Sequence, residues 1–153
     1  MNKGTILVVD DEKAQVEALS GFLRKLHYIV LGETSPEKGL ALVKGNPVDL
    51  VLTDHRMPEM TGVEFLQRVK EINPEISVIV MTAFGSVETA VEALKSGAAD
   101  YLQKPLDLDQ VEFIVNRCFQ QKRLISENRR LREELKERFH FDGIVSALSL
   151  IHI

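Results

Sequence analysis

Five polar residues follow apolar, strand-like runs within the first 104 residues of the chain. Asp10 and Asp11 come directly after TILVV, Asp54 follows VDLVLT, Thr82 follows SVIVM, and Lys104 follows DYLQ. Three carboxylates held together repel one another and therefore need a cation, and Mg²⁺ accepts carboxylate oxygens while keeping room for a phosphate. A lysine and a hydroxyl can bind the same phosphate from other sides. With Asp54 as the nucleophile, the set predicts phosphoryl transfer through an aspartyl phosphate.

Each of these residues also has an ordinary structural explanation. Asp10 and Asp11 could be acids favoured by a helix dipole, Asp54 a capping residue, Thr82 a helix cap and Lys104 a solvated cation. Taken one at a time, these explanations are as good as the functional one. Suitable residue types at the ends of four different strands favour a functional site when they are considered together.

The elements that must position these residues alternate regularly. β-Branched and apolar runs predict strands at residues 5–9, 28–31, 48–52, 77–81 and 99–103. Apolar residues at helical spacing predict helices at 12–27, 36–44, 62–72 and 87–95, with Ser35 and Thr61 as N-caps. This alternation predicts an α/β, flavodoxin-like, doubly wound five-stranded parallel sheet with strand order 2-1-3-4-5. In that order strands 1, 3, 4 and 5 end side by side at one edge.

The composition is that of an ordinary globular chain, with 153 residues, 44% hydrophobic and 27% charged residues. The single cysteine, Cys118, cannot form an internal disulfide, and no His/Cys cluster has zinc spacing, so we expect a reducing, cytoplasmic location. We expect neither a signal peptide nor a membrane span. The net charge of −4 argues against direct nucleic-acid binding.

A long helix is predicted after the last strand, because residues 108–139 contain neither Pro nor Gly. Leu124, Leu131 and Leu135 fit a heptad seam, with Gln121 and Asn128 at the remaining core positions, and a core Asn would fix the register of a parallel dimer. The alternative is a solvated helix with one apolar edge. Acidic residues lie between the basic residues of this helix, so contact of the helix with DNA is disfavoured.

Four segments together, VVDDE, LTDHRMPEMTG, VIVMTA and YLQKP, resemble the receiver domain of bacterial two-component response regulators. The resemblance implies that Asp54 accepts a phosphoryl group from a sensor histidine kinase. It implies Mg²⁺ as the cofactor, held by Asp10, Asp11, Asp54 and the backbone carbonyl of Arg56.

The same resemblance implies roles for the other strand ends. Thr82 would bind the acyl phosphate and move on activation, and Tyr101 would be the switch aromatic that turns inward with it. Lys104 would pair with the phosphate, and its bond to Pro105 would be cis. We also expect that bulky Arg56 and Phe84 flank the phosphate and restrict attack by water.

Residues 139–145, FHFDGIV, resemble the opening of the ATPase domain of NtrC-like, sigma-54-dependent activators, where it follows a receiver and a coiled-coil linker. We therefore expect a receiver domain at 1–120, a helical linker at 121–139, and a truncated ATPase start or unrelated tail at 140–153. No Walker A sequence is present, so the ATPase and DNA-binding domains cannot be assigned to this chain.

These features predict a phosphorylation-activated regulatory module that controls a homodimer and a sigma-54-dependent activator. A phosphatase is disfavoured because Arg56 stands where a second acid would be needed. A nucleotide-binding domain is disfavoured because acids replace the glycine-rich first turn. A receiver-like dimerisation module that is never phosphorylated remains the alternative.

Overall fold

The computed structural model describes residues 2–83 and 86–139, and the predicted ATPase start or tail at 140–153 lies outside the described residues. Five strands are present: β1 (Thr5–Val9), β2 (Ile29–Glu33), β3 (Leu50–Asp54), β4 (Ser77–Thr82) and β5 (Asp100–Gln103). The helices are α1 (Lys13–Lys25), α2 (Pro36–Gly45), α3 (Gly62–Ile72), α4 (Val87–Lys95) and α5 (Leu108–Phe139).

All neighbouring strands pair in parallel, in the order β2-β1-β3-β4-β5. The predicted fold class and strand order are therefore confirmed. No helix within the described ranges is both long and apolar enough to cross a lipid bilayer.

The central strands are apolar on both faces because helices cover both sides of the sheet. On one face, strand residues such as Val9 and Val51 pack into a core with residues of α2 and α3, among them the fully buried Phe65 of α3. The alternate residues along the same strands, such as Ile6 and Leu52, are also fully buried. The continuous apolar runs of the sequence therefore describe strands that are buried on both sides.

Three strands extend further than their apolar runs predicted, and the first of them, β2, ends at Glu33 rather than at residue 31. Strand β3 spans Leu50–Asp54 rather than residues 48–52, and β4 continues to Thr82. Backbone pairing explains where β3 and β4 end, because Asp54 pairs with Met81 of β4 and Thr82 pairs with Gln103 of β5. Polar side chains at these positions do not end the backbone pairing, so Asp54 and Thr82 are strand residues and not loop residues.

The predicted N-caps are confirmed at two helices. The Ser35 hydroxyl accepts a hydrogen bond from the Lys38 N–H at 3.4 Å, with Pro36 at the first helical position. The Thr61 hydroxyl accepts one from the Glu64 N–H at 3.1 Å. Each cap satisfies a backbone donor that has no partner within its own helix.

The last helix is continuous from Leu108 to Phe139, which confirms the predicted C-terminal extension. The chain divides into two units at this helix, residues 1–115 and residues 116–153. Within the first unit, Val111 and Val115 are fully buried. Within the second, the predicted seam residues Leu124, Leu131 and Leu135 are all exposed.

The C-terminus of α1 contains a left-handed residue other than glycine. His27 has φ of 76°, and its N–H donates to the Arg24 carbonyl while the Tyr28 N–H donates to the Leu23 carbonyl. Helix α4 ends with the same pair of bonds, but there the left-handed residue is Gly97, with φ of 103°. This motif favours glycine because a Cβ is strained in the left-handed region.

Replacing His27 with glycine should stabilise the protein, because it removes this strain at an exposed position. We expect the free energy of unfolding to rise by about 0.5 to 1 kcal/mol, measured by urea denaturation. The matched reverse change, Gly97→Ala, should lower it by a similar amount, since nothing lies within 4 Å of the added Cβ and only the backbone conformation matters. Equal stability of His27→Gly and wild type would contradict this account.

Candidate functional site: an acidic cluster at the carboxyl ends of the strands

Three carboxylates meet at the carboxyl edge of the sheet. Asp10 follows β1, Asp11 is the next residue, and Asp54 is the last residue of β3. Because β1 and β3 are paired neighbours, the three side chains converge, and each offers an oxygen within 4.8 Å of the others. Asp10 is almost fully buried and Asp54 nearly so, whereas Asp11 is exposed. The sequence had placed these three acids together, and the structure does so as well.

Lys104 follows β5 and reaches this cluster from the end of that strand. Its backbone N–H donates to the Thr82 carbonyl at 2.7 Å, which anchors the residue beside the end of β4. Its ammonium lies 2.9 Å from Asp10 Oδ2 and 3.2 Å from Asp54 Oδ1. The Lys104–Pro105 peptide bond is cis, as predicted. The solvated-cation explanation for Lys104 is therefore wrong.

Asp54 is held by donors on one of its two carboxylate oxygens. The backbone N–H of His55 donates to Oδ1 at 2.9 Å, and Lys104 approaches the same atom. Across the described part of the chain, the hydrogen bonds and ion pairs to this carboxylate all reach Oδ1. The orientation leaves Oδ2 as the oxygen with the fewest protein partners.

Backbone packing fixes the turn that follows Asp54. Gly62, at the start of α3, donates its N–H to the His55 carbonyl at 2.8 Å. A Cβ on Gly62 would lie only 2.6 Å from the Asp54 carbonyl oxygen and 2.9 Å from His55 Cα. Glycine is thus required here because two backbone segments approach too closely for a side chain. Sequence reasoning missed this residue, and its only signal was a glycine directly after a helix cap.

Asp10 is held in a similar way by a neighbour that sequence reasoning did not single out. The Glu12 backbone N–H donates to Asp10 Oδ1 at 3.0 Å, while Oδ2 accepts from Lys104. Both oxygens of this buried carboxylate therefore already have a donor. A backbone N–H carries no signal in the residue type, so the sequence could not indicate it.

Burial raises the pKa of Asp54 above its ordinary value, and the negative charge of Asp10 raises it further. Lys104 and the His55 N–H oppose this effect without cancelling it. For Lys104, burial alone would lower the pKa, but the hydrogen bond to Asp10 and the charges of both aspartates produce a net increase. The cluster thus favours a charged lysine and disfavours a charged Asp54.

Thr82 and Tyr101 lie near the site without contacting the Asp54 carboxylate. The buried Thr82 hydroxyl donates to the Leu102 carbonyl at 3.4 Å, so it is directed towards β5. Tyr101 lies on β5, at the edge of the sheet, with 36% of its surface exposed. A pocket of about 270 Å³ opens beside Asp54 and Lys104, and Arg56 lines it. Phe84, expected to flank the phosphate, lies outside the described residues.

Comparison with known protein families identifies the family that has this arrangement. Residues 6–116 match the model of the response regulator receiver domain, which covers most of the chain. The chain belongs to the response regulator receiver family. The receiver is also similar to known transcriptional regulators. It is 50% identical over 107 residues to the transcriptional regulatory protein ZraR of Salmonella typhimurium, covering 70% of this chain and 24% of the relative.

A second relative, the regulatory protein AtoC of Escherichia coli, is 39% identical over 147 residues, covering 92% of this chain and 31% of AtoC. These relatives identify the receiver as NtrC-like. The chain spans 24% of the length of ZraR and 31% of the length of AtoC.

Solved structures share the fold. The beryllofluoride-activated NtrC4 receiver domain dimer has a TM-score of 0.73 and 32% identity, covering 77% of this chain and 98% of that one. NtrX from Brucella abortus, in complex with ADP, has a TM-score of 0.80 and 28% identity, covering 86% of this chain and 30% of that one. The receiver fold therefore occurs both as a separate domain and as part of longer chains.

The donor set of the receiver fits a hard divalent cation. Three carboxylates within 4.8 Å supply only oxygen ligands, and two of them are paired with a single positive charge. The cluster retains a net negative charge beside an open pocket that can admit water and a phosphate. The residues present can therefore hold a metal ion.

Replacing Asp54 with asparagine should stabilise the metal-free receiver at neutral pH. Because the folded state raises the pKa of Asp54, the charged carboxylate lowers the free energy of unfolding. This loss of stability develops as the pH rises above the ordinary carboxyl pKa. Asparagine avoids this cost, so the gain should be largest near pH 7 and should diminish towards pH 4 and below. Urea denaturation in EDTA at several pH values measures the difference.

The control for this comparison is Glu92→Gln, which removes the same charge from an exposed position on α4. It should not produce a gain that disappears on acidification. A lower stability of Asp54→Asn throughout the pH range would mean instead that the ion pair with Lys104 outweighs burial and repulsion.

Proposed function

We propose that this receiver accepts a phosphoryl group on Asp54 from a sensor histidine kinase, with Mg²⁺ as cofactor. Phosphorylation would control dimerisation and the activity of a sigma-54-dependent transcription activator. The observation that supports the proposal most directly is the clustering of three carboxylates, Asp10, Asp11 and Asp54, with Lys104. All of these except Asp10 line one pocket. A cytoplasmic location, where such kinases act, is part of the proposal.

The proposed step is a nucleophilic displacement at phosphorus. An oxygen of Asp54 attacks, the phosphorus–nitrogen bond to the kinase histidine breaks, and the electron pair of that bond stays on the histidine. An acyl phosphate results. The geometry favours Oδ2 as the attacking oxygen because the His55 N–H and Lys104 both bind Oδ1. These two donors would hold the carboxylate in one orientation during the attack.

The residues proposed to hold the metal are Asp10, Asp11, Asp54 and the backbone carbonyl of Arg56. Magnesium would supply positive charge that offsets the charge of the transferring phosphoryl group. Lys104 would bind a phosphoryl oxygen from the opposite side. The chain would catalyse its own phosphorylation and dephosphorylation and would not turn over an external substrate.

Thr82 and Tyr101 are proposed as the switch. In the structure the Thr82 hydroxyl bonds to β5, and Tyr101 is at the surface. A phosphoryl group adds roughly −1.5 to −2 charge and new acceptor oxygens, which would attract this hydroxyl away from the Leu102 carbonyl. Movement of Thr82 would vacate space beside β5 for Tyr101, and so change the surface formed by α4 and β5.

The helix beyond the receiver is proposed as a dimerisation linker. We assign residues 1–120 to the receiver, 121–139 to the linker, and 140–153 to an ATPase start or unrelated tail. Leu124, Leu131 and Leu135 would form the seam, with Asn128 as its polar core position. Their exposure in the single chain supports this role, since burying them requires a partner.

The alternative is a receiver-like dimerisation module that is never phosphorylated. The ion pairs of Lys104 are the observation that favours it, because they neutralise part of the acidic cluster without any ligand. The two functions differ in whether Asp54 can be modified, and one experiment separates them.

Incubation with acetyl phosphate and Mg²⁺ should add one phosphoryl group, detected by intact-mass spectrometry. The adduct should be absent when EDTA replaces Mg²⁺ and absent from Asp54→Asn. Glu92→Gln, with its exposed charge removed, should be modified like wild type. A folded chain that acquires no adduct at any time point would support the module that is never phosphorylated, and an adduct on Asp54→Asn would move the acceptor elsewhere.

Replacing Leu131 with serine should weaken self-association of the chain. Loss of a core leucine from both helices removes enough apolar burial to raise the dimer dissociation constant by at least about tenfold. Arg130→Ser, on the adjacent, outward-facing position of the proposed seam, should leave it unchanged. Sedimentation velocity measures both, and equal effects of the two substitutions would contradict the heptad assignment.

A further inference from the structure

A groove lies on the surface between α2 and α3, which pack against each other on one face of the sheet. Its volume is about 400 Å³. The apolar part of its lining consists of the half-buried Leu40 and Met60 and the exposed Ala41. None of the residues that line the groove belongs to the acidic cluster or to the linker helix. The proposed function therefore leaves this surface without a role.

The charged residues that line the groove are separated by sign along the helices. Glu37 is in the first turn of α2, and Lys44 is in its last turn. On α3, Glu64 is in the first turn and Arg68 lies about one turn further on, while Glu59 adds an acid before the helix begins. All five residues are exposed, and the ion pairs of the described residues include none of them. Their charges are thus available to a partner.

Both helices begin at the same edge of the sheet and run in the same direction. Each one connects two strands of a parallel sheet, so each must return from the carboxyl edge to the amino edge. The hydroxyl of Ser35, the N-cap of α2, donates to the Glu59 carboxylate at 3.5 Å, which places the starts of the two helices side by side. The groove is consequently acidic near the carboxyl edge and basic towards the amino edge.

This separation of charge makes the groove complementary to itself under a two-fold rotation. The midpoint between acid and base falls at residues 40–41 in α2 and at residue 66 in α3. Since α2 begins at residue 36 and α3 at residue 62, both midpoints lie at about the fifth residue of their helix. A two-fold axis that crosses both helices at this level would bring the acidic half of one groove onto the basic half of the other.

We propose that the groove between α2 and α3 is a self-association surface whose partner is a second copy of this chain. The two copies would pack α2 on α2 and α3 on α3, with the paired helices antiparallel. Glu37 would face Lys44 of the second copy, and Glu64 would face Arg68 of the second copy. Each of these ion pairs would occur twice because of the two-fold axis, and the apolar lining would be covered between them.

Charge complementarity selects a second copy as the partner. The two halves of the groove carry opposite charges at matching distances from the axis, so the same surface supplies both members of every pair. Exposed ion pairs contribute little each, so the contact would be weak and would form at high protein concentration. A dimer joined through the proposed linker would carry two such surfaces and would associate further through them.

The test uses the 153-residue chain with Leu131→Ser, in which the proposed linker seam is weakened and the groove is unchanged. We expect this chain to associate reversibly in sedimentation equilibrium. Adding Arg68→Glu should raise the dissociation constant by at least about tenfold, because attractive pairs become repulsive. Adding Glu64→Arg to that variant should restore association, because the exchanged charges again face opposite charges across the axis.

Two controls separate this contact from net charge and from apolar association. Lys25→Glu, at an exposed position in the last turn of α1, changes the net charge as Arg68→Glu does and should leave the dissociation constant unchanged. Raising the salt concentration from about 0.05 M to about 0.5 M should weaken association of the Leu131→Ser chain, since exposed ion pairs are screened. Recovery of association with Glu64→Arg also shows that Arg68→Glu did not act by unfolding the protein.

Three results would overturn the proposal. One is association of the Arg68→Glu variant as tight as that of its Leu131→Ser parent. Another is a charge-exchanged variant that associates as weakly as the single reversal. The third is a Leu131→Ser chain that stays monomeric at about 1 mM. None of these measurements involves phosphorylation of Asp54, so the contact and the proposed function are tested separately.

Discussion

The ammonium of Lys104 connects three strands of the sheet through two buried acids. Asp10 follows β1 and Asp54 ends β3, and β4 lies between β3 and the strand that precedes the lysine. Without this charge, two carboxylates in a poorly solvated position would face each other with the exposed Asp11 close by. Because an unpaired charge in such a place is costly, the arrangement of the sheet edge depends on the lysine as much as the lysine depends on the sheet.

This geometry is possible only because the strands end in register. Val9 pairs with Thr53, Asp54 with Met81, and Thr82 with Gln103, so the polar residues emerge at one level. A shift of one residue in any pairing would turn the side chain of that strand end to the opposite face of the sheet. The register is in turn specified by apolar side chains such as Leu7 and Val51, which must point into the core. Packing of residues that do no chemistry therefore determines where the acids lie.

Much of this could be predicted from the sequence, since strand order and site composition depend on residue types. Apolar runs and their polar ends indicated five strands and a shared edge, and Ser35 and Thr61 were identified as caps. The ends of β3 and β4 were placed too early because backbone pairing continues through Asp54 and Thr82.

The sequence could not indicate contacts that are made by backbone atoms. Nor could it indicate which of several possible partners a side chain contacts. The N–H groups of Glu12 and His55 hold the acids irrespective of their own side chains. The direction of the Thr82 hydroxyl towards Leu102 depends on a local geometry that no spacing pattern encodes. Lys104 was expected to face a phosphate, and its contact with Asp10 became visible only in three dimensions.

The two members of the Lys104–Asp10 pair are 94 residues apart in the chain. A contact of this length closes a long stretch of chain, and its closure entropy must be offset by the rest of the fold. A chain emerging from the ribosome consequently cannot assemble the site before its fifth strand is free. The proposed phosphorylation would therefore occur only on chains whose sheet is complete. Incompletely folded or misfolded chains would not accept the phosphoryl group and would not respond.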